Sequence, residues 1–439
     1  MLKAAKKIWQ NEFFQGGIFY TTSSFFNHLM NYLFNFLAGR TLGPKGYAEI
    51  STLFSYTTIA LVPTVVFSTF LIQKISASSL NQKIYTRSLE RLFLNKIKKW
   101  WYLFVIPIIF APLLPKFTNL TPLVAWSLYP LLYFAYLSSF YGSAIQGLKL
   151  FLAVSLIGIL VTFLKLIGAW LVYLGLDGIA TIIFFLIMSN FFLFYLSKRV
   201  VTGHLKKNMI INSKILEKRT LQLLTSRQFV IIFVSTLALT LLNNLDVVIV
   251  KKFFLATDAG IYSSWSLFAK IILYFVGPLI SISFVFISGS KNEAIKNKTL
   301  LYSLIILFFV GIISFAFYKN FASFIIGFFF GNKFEAVTPY LASASIFGSF
   351  YTALTFFNSF YLAKNSSLAL ILPIFLPIYI VLLYLIPKKL SAVITLNIFF
   401  SATLVLAYLI LYLFSKIRYS KITDGSTQRM ESLETNINY

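Results

Sequence analysis

The sequence predicts an all-α integral membrane protein that crosses the bilayer about twelve times, in two halves of six spans. Three observations carry this. Only 11% of the 439 residues are charged, 59% are hydrophobic, and the mean hydropathy is +0.83. A soluble domain carries roughly 25% charged residues, so this chain cannot cover itself with polar surface in water. Long segments free of Asp, Glu, Lys and Arg recur along the whole length, many of them near the roughly 20 residues that span the hydrocarbon. Finally, the chain echoes itself at an offset of 215 residues. Tyr47 precedes Pro63 by sixteen residues, and Tyr262 precedes Pro278 by sixteen.

The stretch 27–63 shows the repeating unit. An apolar run containing His28 ends at Ala38-Gly39-Arg40, a polar turn from Thr41 to Tyr47 reverses the chain, and a second apolar run follows Glu49. The expected spans are 16–39, 47–73, 100–115, 122–146, 151–174, 178–197, 228–250, 260–288, 299–318, 336–362, 367–387 and 391–415. Segment 74–99 reads as a loop, and 319–335 reads as an interfacial helix.

Orientation follows from the loop charges. With the N-terminus inside, cytoplasmic segments hold 27 Lys and Arg and external loops hold 9. Both termini are therefore expected in the cytoplasm. The first span, preceded by Lys3, Lys6 and Lys7, reads as an uncleaved signal-anchor. The expected divisions are an N-terminal lobe 1–197, a basic inter-lobe loop 198–227, a C-terminal lobe 228–415 and a tail 416–439. The basic loop reads first as a linker and second as an amphipathic helix on anionic lipid.

Several function classes fall away. The net charge of +26 sits in membrane-flanking loops, so nucleic acid is not an expected partner. Cysteine is absent, which excludes disulfides and thiolate chemistry. His28 and His204 are far apart in sequence, so no histidine metal site is expected. No Walker motif and no paired-carboxylate loop is present, so the protein is not expected to be an enzyme. The richness in Phe, Ile, Leu, Lys and Asn matches A+T-rich coding and hints at bacteria and no more; the expected location is the bacterial cytoplasmic membrane.

At the 215-residue offset, Asn31 falls opposite Asp246 and His28 opposite Asn243. Gln146-Gly147-Leu148-Lys149 matches Leu362-Ala363-Lys364-Asn365 at nearly the same offset. Six spans map onto six in the same orientation, a parallel repeat whose axis runs along the membrane normal. Transporters built this way place substrate between the halves near the midplane.

The pieces Asn35 to Tyr47 (NFLAGRTLGPKGY), Asn244 to Val250 (NLDVVIV) and Ala259 to Tyr262 (AGIY) resemble the polysaccharide-export flippases. These are the Wzx-type members of the multidrug/oligosaccharidyl-lipid/polysaccharide flippase superfamily. The resemblance covers nearly the whole chain in span number, loop length and the six-plus-six repeat. Lys45 stands where that family often has an acidic residue or glycine. The resemblance implies a MATE-like, V-shaped pair of six-helix bundles. It also implies the task of turning a polyprenyl-pyrophosphate-linked oligosaccharide, such as an O-antigen or capsule unit, to the outer leaflet. The expected partners are that cargo, membrane lipids, and the polymerase and glycosyltransferases of the same pathway; a monomer is expected. The rival readings are a multidrug or cation exporter of the same superfamily, a lipid II flippase, which would be expected to have fourteen spans, and a membrane glycosyltransferase or polymerase.

A pyrophosphate crossing about 30 Å of hydrocarbon needs cationic partners. Lys165 and Lys270, each about nine or ten residues from the outer end of its span and in opposite halves, read either as the cations of a substrate cavity or as partners of Asp246, of backbone carbonyls or of local water. Nine residues of helix are about 13 Å, too deep for easy snorkelling. Arg40 reads either as an exit-side phosphate contact or as a helix anchor. His28 reads as a proton-coupling group or a hydrogen-bonded structural histidine. Asp246 reads as a coupling or gating group, or as the partner of Lys251. Glu49 reads as a helix-dipole complement. Tyr133, Tyr136 and Tyr351 are candidates for stacking on sugar. No cofactor is expected; the candidate drivers are a coupling ion, proton or sodium, and the membrane potential.

Overall fold

The structure, a computed structural model, describes residues 12–76, 82–99, 102, 108–109, 111–205, 226–290 and 292–437. Among these residues every regular element is helical. Among the described residues nine helices are long and apolar enough to cross a membrane, and the segment 19–76 adds a bent pair. The predicted third span, 100–115, lies mostly outside the described residues, as does most of the basic loop, 206–225.

The first hairpin is tighter than its sequence implied. Helix runs from Glu12 to Ala60 with one non-helical residue, Gly43 (φ 66°, ψ −178°). This divides it into α1 (12–42) and α2 (44–60). The rings of Phe34 and Phe54 lie 5.9 Å apart. Twenty residues of straight helix would separate them by about 30 Å, so the chain folds back at Gly43. The expected seven-residue turn is thus a single residue, in a region of φ, ψ space that is essentially open to glycine alone. From here "the Gly43 end" denotes this end of the bundle.

α2 continues into α3 (Val62–Ser76) across a 49° bend. Pro63 has no N–H to donate. Thr64 N donates to Leu61 O at 3.0 Å instead of to Ala60, and Tyr136 Oη fills the vacated Ala60 carbonyl at 2.6 Å. Tyr136 thereby braces the bend.

α4 (Gln82–Lys99) occupies the segment read as a loop. Its Lys and Arg residues hid a packed face. Phe93 stacks on Phe140 at 4.6 Å, and buried Glu90 accepts from Arg87 (2.5 Å) and Tyr141 Oη (3.2 Å). After the short α5 (Leu114–Thr118) come α6 (Pro122–Gly147), α7 (Phe151–Tyr173) and α8 (Gly178–His204).

The second half opens with a broken span, α9 (Arg227–Leu242) and α10 (Leu245–Phe253), parted at Asn243-Asn244. α11 (Ala256–Gly289), α12 (Glu293–Asn320) and α13 (Ala322–Phe329) follow. A 3₁₀ segment Asn332–Tyr340 leads into α14 (Leu341–Ala363), then α15 (Ile371–Leu385) and α16 (Leu390–Ile437). α16 carries helix through the segment expected to be a tail.

The repeat is visible in hydrogen bonds. After α6, Lys149 (φ 61°) is left-handed, with Lys149 N on Gln146 O (2.9 Å) and Leu150 N on Ile145 O (3.0 Å). After α14, Asn365 (φ 53°) is left-handed, with Asn365 N on Leu362 O (3.0 Å) and Ser366 N on Tyr361 O (2.9 Å). Both are the same helix-ending motif, satisfying carbonyls the helix leaves open.

Buried apolar side chains form three clusters. Two lie within the first half, one around Phe140 and Tyr141 and one around Phe34 and Leu186. The largest belongs to the second half, around Trp265, Phe268 and Tyr408, yet takes in Phe36, Tyr47 and Ala48. The Gly43 end of the first half is therefore embedded in the core of the second. Phe308, Ile313, Leu385 and Phe399 are more than 60% exposed, a surface that suits lipid and not water.

Candidate functional site

A cavity of about 490 Å³ opens between the halves. α1 contributes His28, Asn31 and Asn35, spaced three to four residues apart so that they share a face. α2 contributes Ser51, Ser55 and Thr58, and α7 contributes Lys165. From the second half come Asn243 and Asn244 at the helix break, Ser266, Lys270 and Tyr274 of α11, and Tyr351 of α14.

Two of the lining charges are the lysines singled out above, and they come from opposite halves. Lys165 is half-buried in an otherwise apolar helix. Among the described residues it has neither ion pair nor hydrogen-bond partner. Lys270 donates to Asn244 Oδ1 at 3.2 Å, and Asn244 Nδ2 donates back into its helix, to Thr240 O at 2.9 Å. Tyr32 and Ser266 also line the cavity, and their hydroxyl oxygens are buried and have no hydrogen-bond partner among the described residues. Among the described residues no carboxylate is in the lining. The wall thus offers positive charge and unspent donors, the chemistry that holds an oxyanion.

His28 lines the cavity with its ring 5.3 Å from Tyr274. Tyr351 lines it too, its hydroxyl donating to Leu239 O at 3.0 Å.

Asp246 lies behind this wall. It is fully buried, in the first turn of α10, where the helix N-terminus favours negative charge. Val247 N donates to one of its oxygens at 2.8 Å. The other accepts from Tyr262 Oη and from Asn397 Nδ2 at 3.0 Å, while Tyr379 Oη donates to Asn397 Oδ1 at 2.7 Å. The expectation that Lys251 partners Asp246 is incorrect, because the break at Asn243-Asn244 turns Asp246 into its own half. Asn397 and Tyr379 were missed in the sequence; the one signal for Asn397 is an amide inside the apolar run 391–415.

Lys251 pairs instead with Glu49 across the halves, Nζ to Oε1 at 2.5 Å, both side chains buried. Glu49 Oε2 also accepts from Thr121 N at 2.9 Å. Glu49 is therefore more than a dipole complement: it ties α2 to α10 and to the start of α6. Around it the Gly43 end is shut. Asn119 Nδ2 donates to Lys252 O (2.8 Å), and Phe36 packs on Phe329 with ring centres 4.2 Å apart. Gly260 sits so close to the Pro44 carbonyl that a Cβ there would overlap it. Arg40 belongs to this closure and not to the cavity, donating to Phe328 O at 2.9 Å. The interfacial segment after α12 is thus half plug, its Phe330 and Phe334 buried against Tyr47.

Several solved structures share this architecture. An inward-facing multidrug resistance MATE family transporter of the MOP superfamily superposes with a TM-score of 0.64, at 15% identity over 93% of this chain and 99% of that one. The lipid II flippase MurJ in an inward closed conformation gives 0.61 at 14% identity, over 90% and 87%. A MOP superfamily transporter from Pyrococcus furiosus, for which reverse polarity of the binding pocket suggested a different function, gives 0.61 at 14%, over 94% and 97%. The chain has a MATE-like fold. No family model matches the sequence, and no curated protein does. At these identities the likeness is one of fold, and that fold makes the chain a multi-pass membrane protein.

Proposed function

We propose that this protein flips a polyprenyl-pyrophosphate-linked oligosaccharide from the inner to the outer leaflet of a bacterial cytoplasmic membrane by alternating access. The observation that carries the reading is the pairing of Lys165 and Lys270, one from each half, on a shared cavity with no carboxylate. A dianionic linkage between the halves would touch both, and Tyr32 and Ser266 would add neutral donors. The Gly43 end is read as external, in keeping with the loop charges. Its latch then makes this the state that loads from the cytoplasm. Arg40, held on Phe328, is free to meet phosphate only once that latch opens.

The multidrug neighbours share the fold, but a cation exporter needs acidic lining, and among the described residues no carboxylate lines the cavity: Asp246 is sealed behind Tyr262 and Asn397, and buried Glu49 and Glu90 are held by Lys251 and Arg87. The MurJ neighbour is a lipid II flippase, and the sequence resemblance to polysaccharide-export flippases supports a lipid-linked sugar cargo. Glycosyltransferases would supply that cargo and a polymerase would consume it. The membrane potential can drive the step: about 2.3 kcal/mol per charge per 100 mV, or roughly 4–5 kcal/mol for two negative charges leaving an inside-negative cell. A coupling ion, proton or sodium, is assigned to Asp246 and His28.

Deleting the gene in a strain without a second flippase tests the reading. Loss of surface polysaccharide, with lipid-linked oligosaccharide trapped in the inner leaflet, is expected. Normal surface polysaccharide would overturn it.

A further inference from the structure

A second cavity lies inside the first half, and its chemistry is unlike that of the first. Its volume is about 340 Å³, within the range of about 300–1,000 Å³ usual for ligand sites. It is walled by α1, α3, α6, α7 and α8. Among the described residues eight in its lining are serines and none is Asp, Glu, Lys, Arg or His, so none of them compensates an ion.

Four of the eight serine protons are spent within the wall. Ser138, Ser139 and Ser143 donate to the carbonyls of Ala135, Tyr136 and Ser139 at 3.0, 2.7 and 2.6 Å, and Ser23 donates to Ser155 at 2.7 Å. Each hydroxyl keeps acceptor lone pairs. With no cation in the wall among the described residues, these lone pairs and the amides of Asn27 and Gln146 disfavour phosphate and suit an uncharged hydrogen-bonding ligand.

Gly142 shows that the space is not a by-product of tight packing. A glycine within a helix costs about 1 kcal/mol relative to alanine, and close approach is the usual reason for one. Gly147 and Gly168 fit that reason, against Ile75 and Phe185. A Cβ at Gly142 would meet nothing within 4 Å, and Gly142 lines the cavity.

The two cavities meet on one turn of α1. Asn27 lines the serine cavity and accepts from Thr162 Oγ1 at 3.1 Å, while the next residue, His28, lines the cationic one. Lys165 lies one turn beyond Thr162 on α7.

We infer that the serine cavity is a subsite for the neutral sugar head of the cargo, beside the cationic cavity that takes its pyrophosphate. This rests on the cargo reading above. Purified protein would be titrated with two probes: lipid-linked oligosaccharide extracted from cells lacking the gene, and the same polyprenyl pyrophosphate without sugar. Wild type should bind the sugar-bearing lipid about tenfold more tightly. Gly142→Leu, which grows into open space, should erase that difference, Gly142→Ala should reduce it, and both should keep the wild-type melting temperature and affinity for the bare lipid. Lys165→Ala should weaken both probes equally. Equal binding of the two probes by wild type, or an unchanged difference in Gly142→Leu, overturns the subsite while leaving the pyrophosphate reading intact. Binding of neither probe overturns both.

Discussion

The hairpin at 27–63 and its echo at 242–278 occupy matching places in the two halves, yet they handle polarity differently. In the first, α1 is unbroken and presents Asn31 and Asn35 directly to the cavity; Tyr47 Oη reaches Asn35 Oδ1 at 3.4 Å. In the second, the helix breaks at Asn243-Asn244. Asp246, which aligns with Asn31, turns away and is taken by Tyr262, the counterpart of Tyr47. Position 55 holds serine and position 270 holds lysine, both facing the cavity. One copy supplies neutral amides and hydroxyls. The other separates its charges, placing a cation in the cavity and a carboxylate behind it. A repeat that keeps its backbone can thus assign substrate contact and ion handling to different copies.

The largest effect expected is on the cation. Lys270→Ala and Lys165→Ala should each remove about 2–5 kcal/mol of anion binding, a fall of at least about 30-fold, while the protein still inserts and folds. Transplanting the charge sharpens the comparison. Because Ser55 aligns with Lys270 and lines the same cavity, Ser55→Lys should restore part of the affinity lost in Lys270→Ser. Titration with a polyprenyl pyrophosphate reads both. Full activity of Lys270→Ala and Lys165→Ala would refute the cationic cavity, and no rescue by Ser55→Lys would deny that the two positions are equivalent.

Next in size is the latch. Removing one partner of a buried ion pair costs about 3–5 kcal/mol, so Glu49→Ala or Lys251→Ala should lower thermal stability by that order. The double change to Gln and Met should recover much of it. Since the chain contains no cysteine, a single cysteine placed at Ser266 can be labelled cleanly. Glu49→Ala should raise its accessibility from the Gly43 side; unchanged labelling would show that the pair does not hold that end shut.

Much of this was legible before any coordinates. Composition and run length disclosed the membrane helices, and the spacing Tyr-to-Pro disclosed the repeat, because both depend on local burial in lipid. Lys165 and Lys270 were legible because a cation deep in an apolar span is costly and so conspicuous. What escaped depends on pairings between distant segments. Glu49 and Lys251 are 202 residues apart, and each alone reads as an ordinary helix-end charge. α4 escaped because its basic face masked an apolar one, and the broken helix at Asn243-Asn244 redirected Asp246 away from the neighbour its sequence position indicated.

Asp246→Asn isolates the ion-handling copy. The change keeps shape and two of the hydrogen-bond acceptors or donors, so stability should fall by about 1–3 kcal/mol or less. Transport into proteoliposomes should continue at a reduced rate and lose its response to an imposed proton or sodium gradient. Asn31→Asp, in the neutral copy, should leave that response unchanged, since Asn31 opens to the cavity and has no Tyr262 to enclose it. A wild-type gradient response in Asp246→Asn would remove the coupling role from this residue.

The smallest contrast lies in the turns. The first hairpin reverses at Gly43, whose φ of 66° and ψ of −178° are costly for any residue with a Cβ, about 1–3 kcal/mol. A Cβ there would meet only Lys333 Cδ at 3.5 Å, an ordinary contact. Gly43→Ala should therefore lower stability by the conformational cost alone. The second hairpin passes through Phe254 (φ −108°, ψ 165°) and Leu255 (φ −58°, ψ 146°), extended geometry open to any residue. Leu255 is 73% exposed, so Leu255→Ala should stay within about 0.5 kcal/mol. Thermal melts of the two variants side by side measure the difference. Equal melting would mean that the first turn relaxes into the same extended link as the second, and that the two hairpins are closer in kind than their dihedral angles indicate.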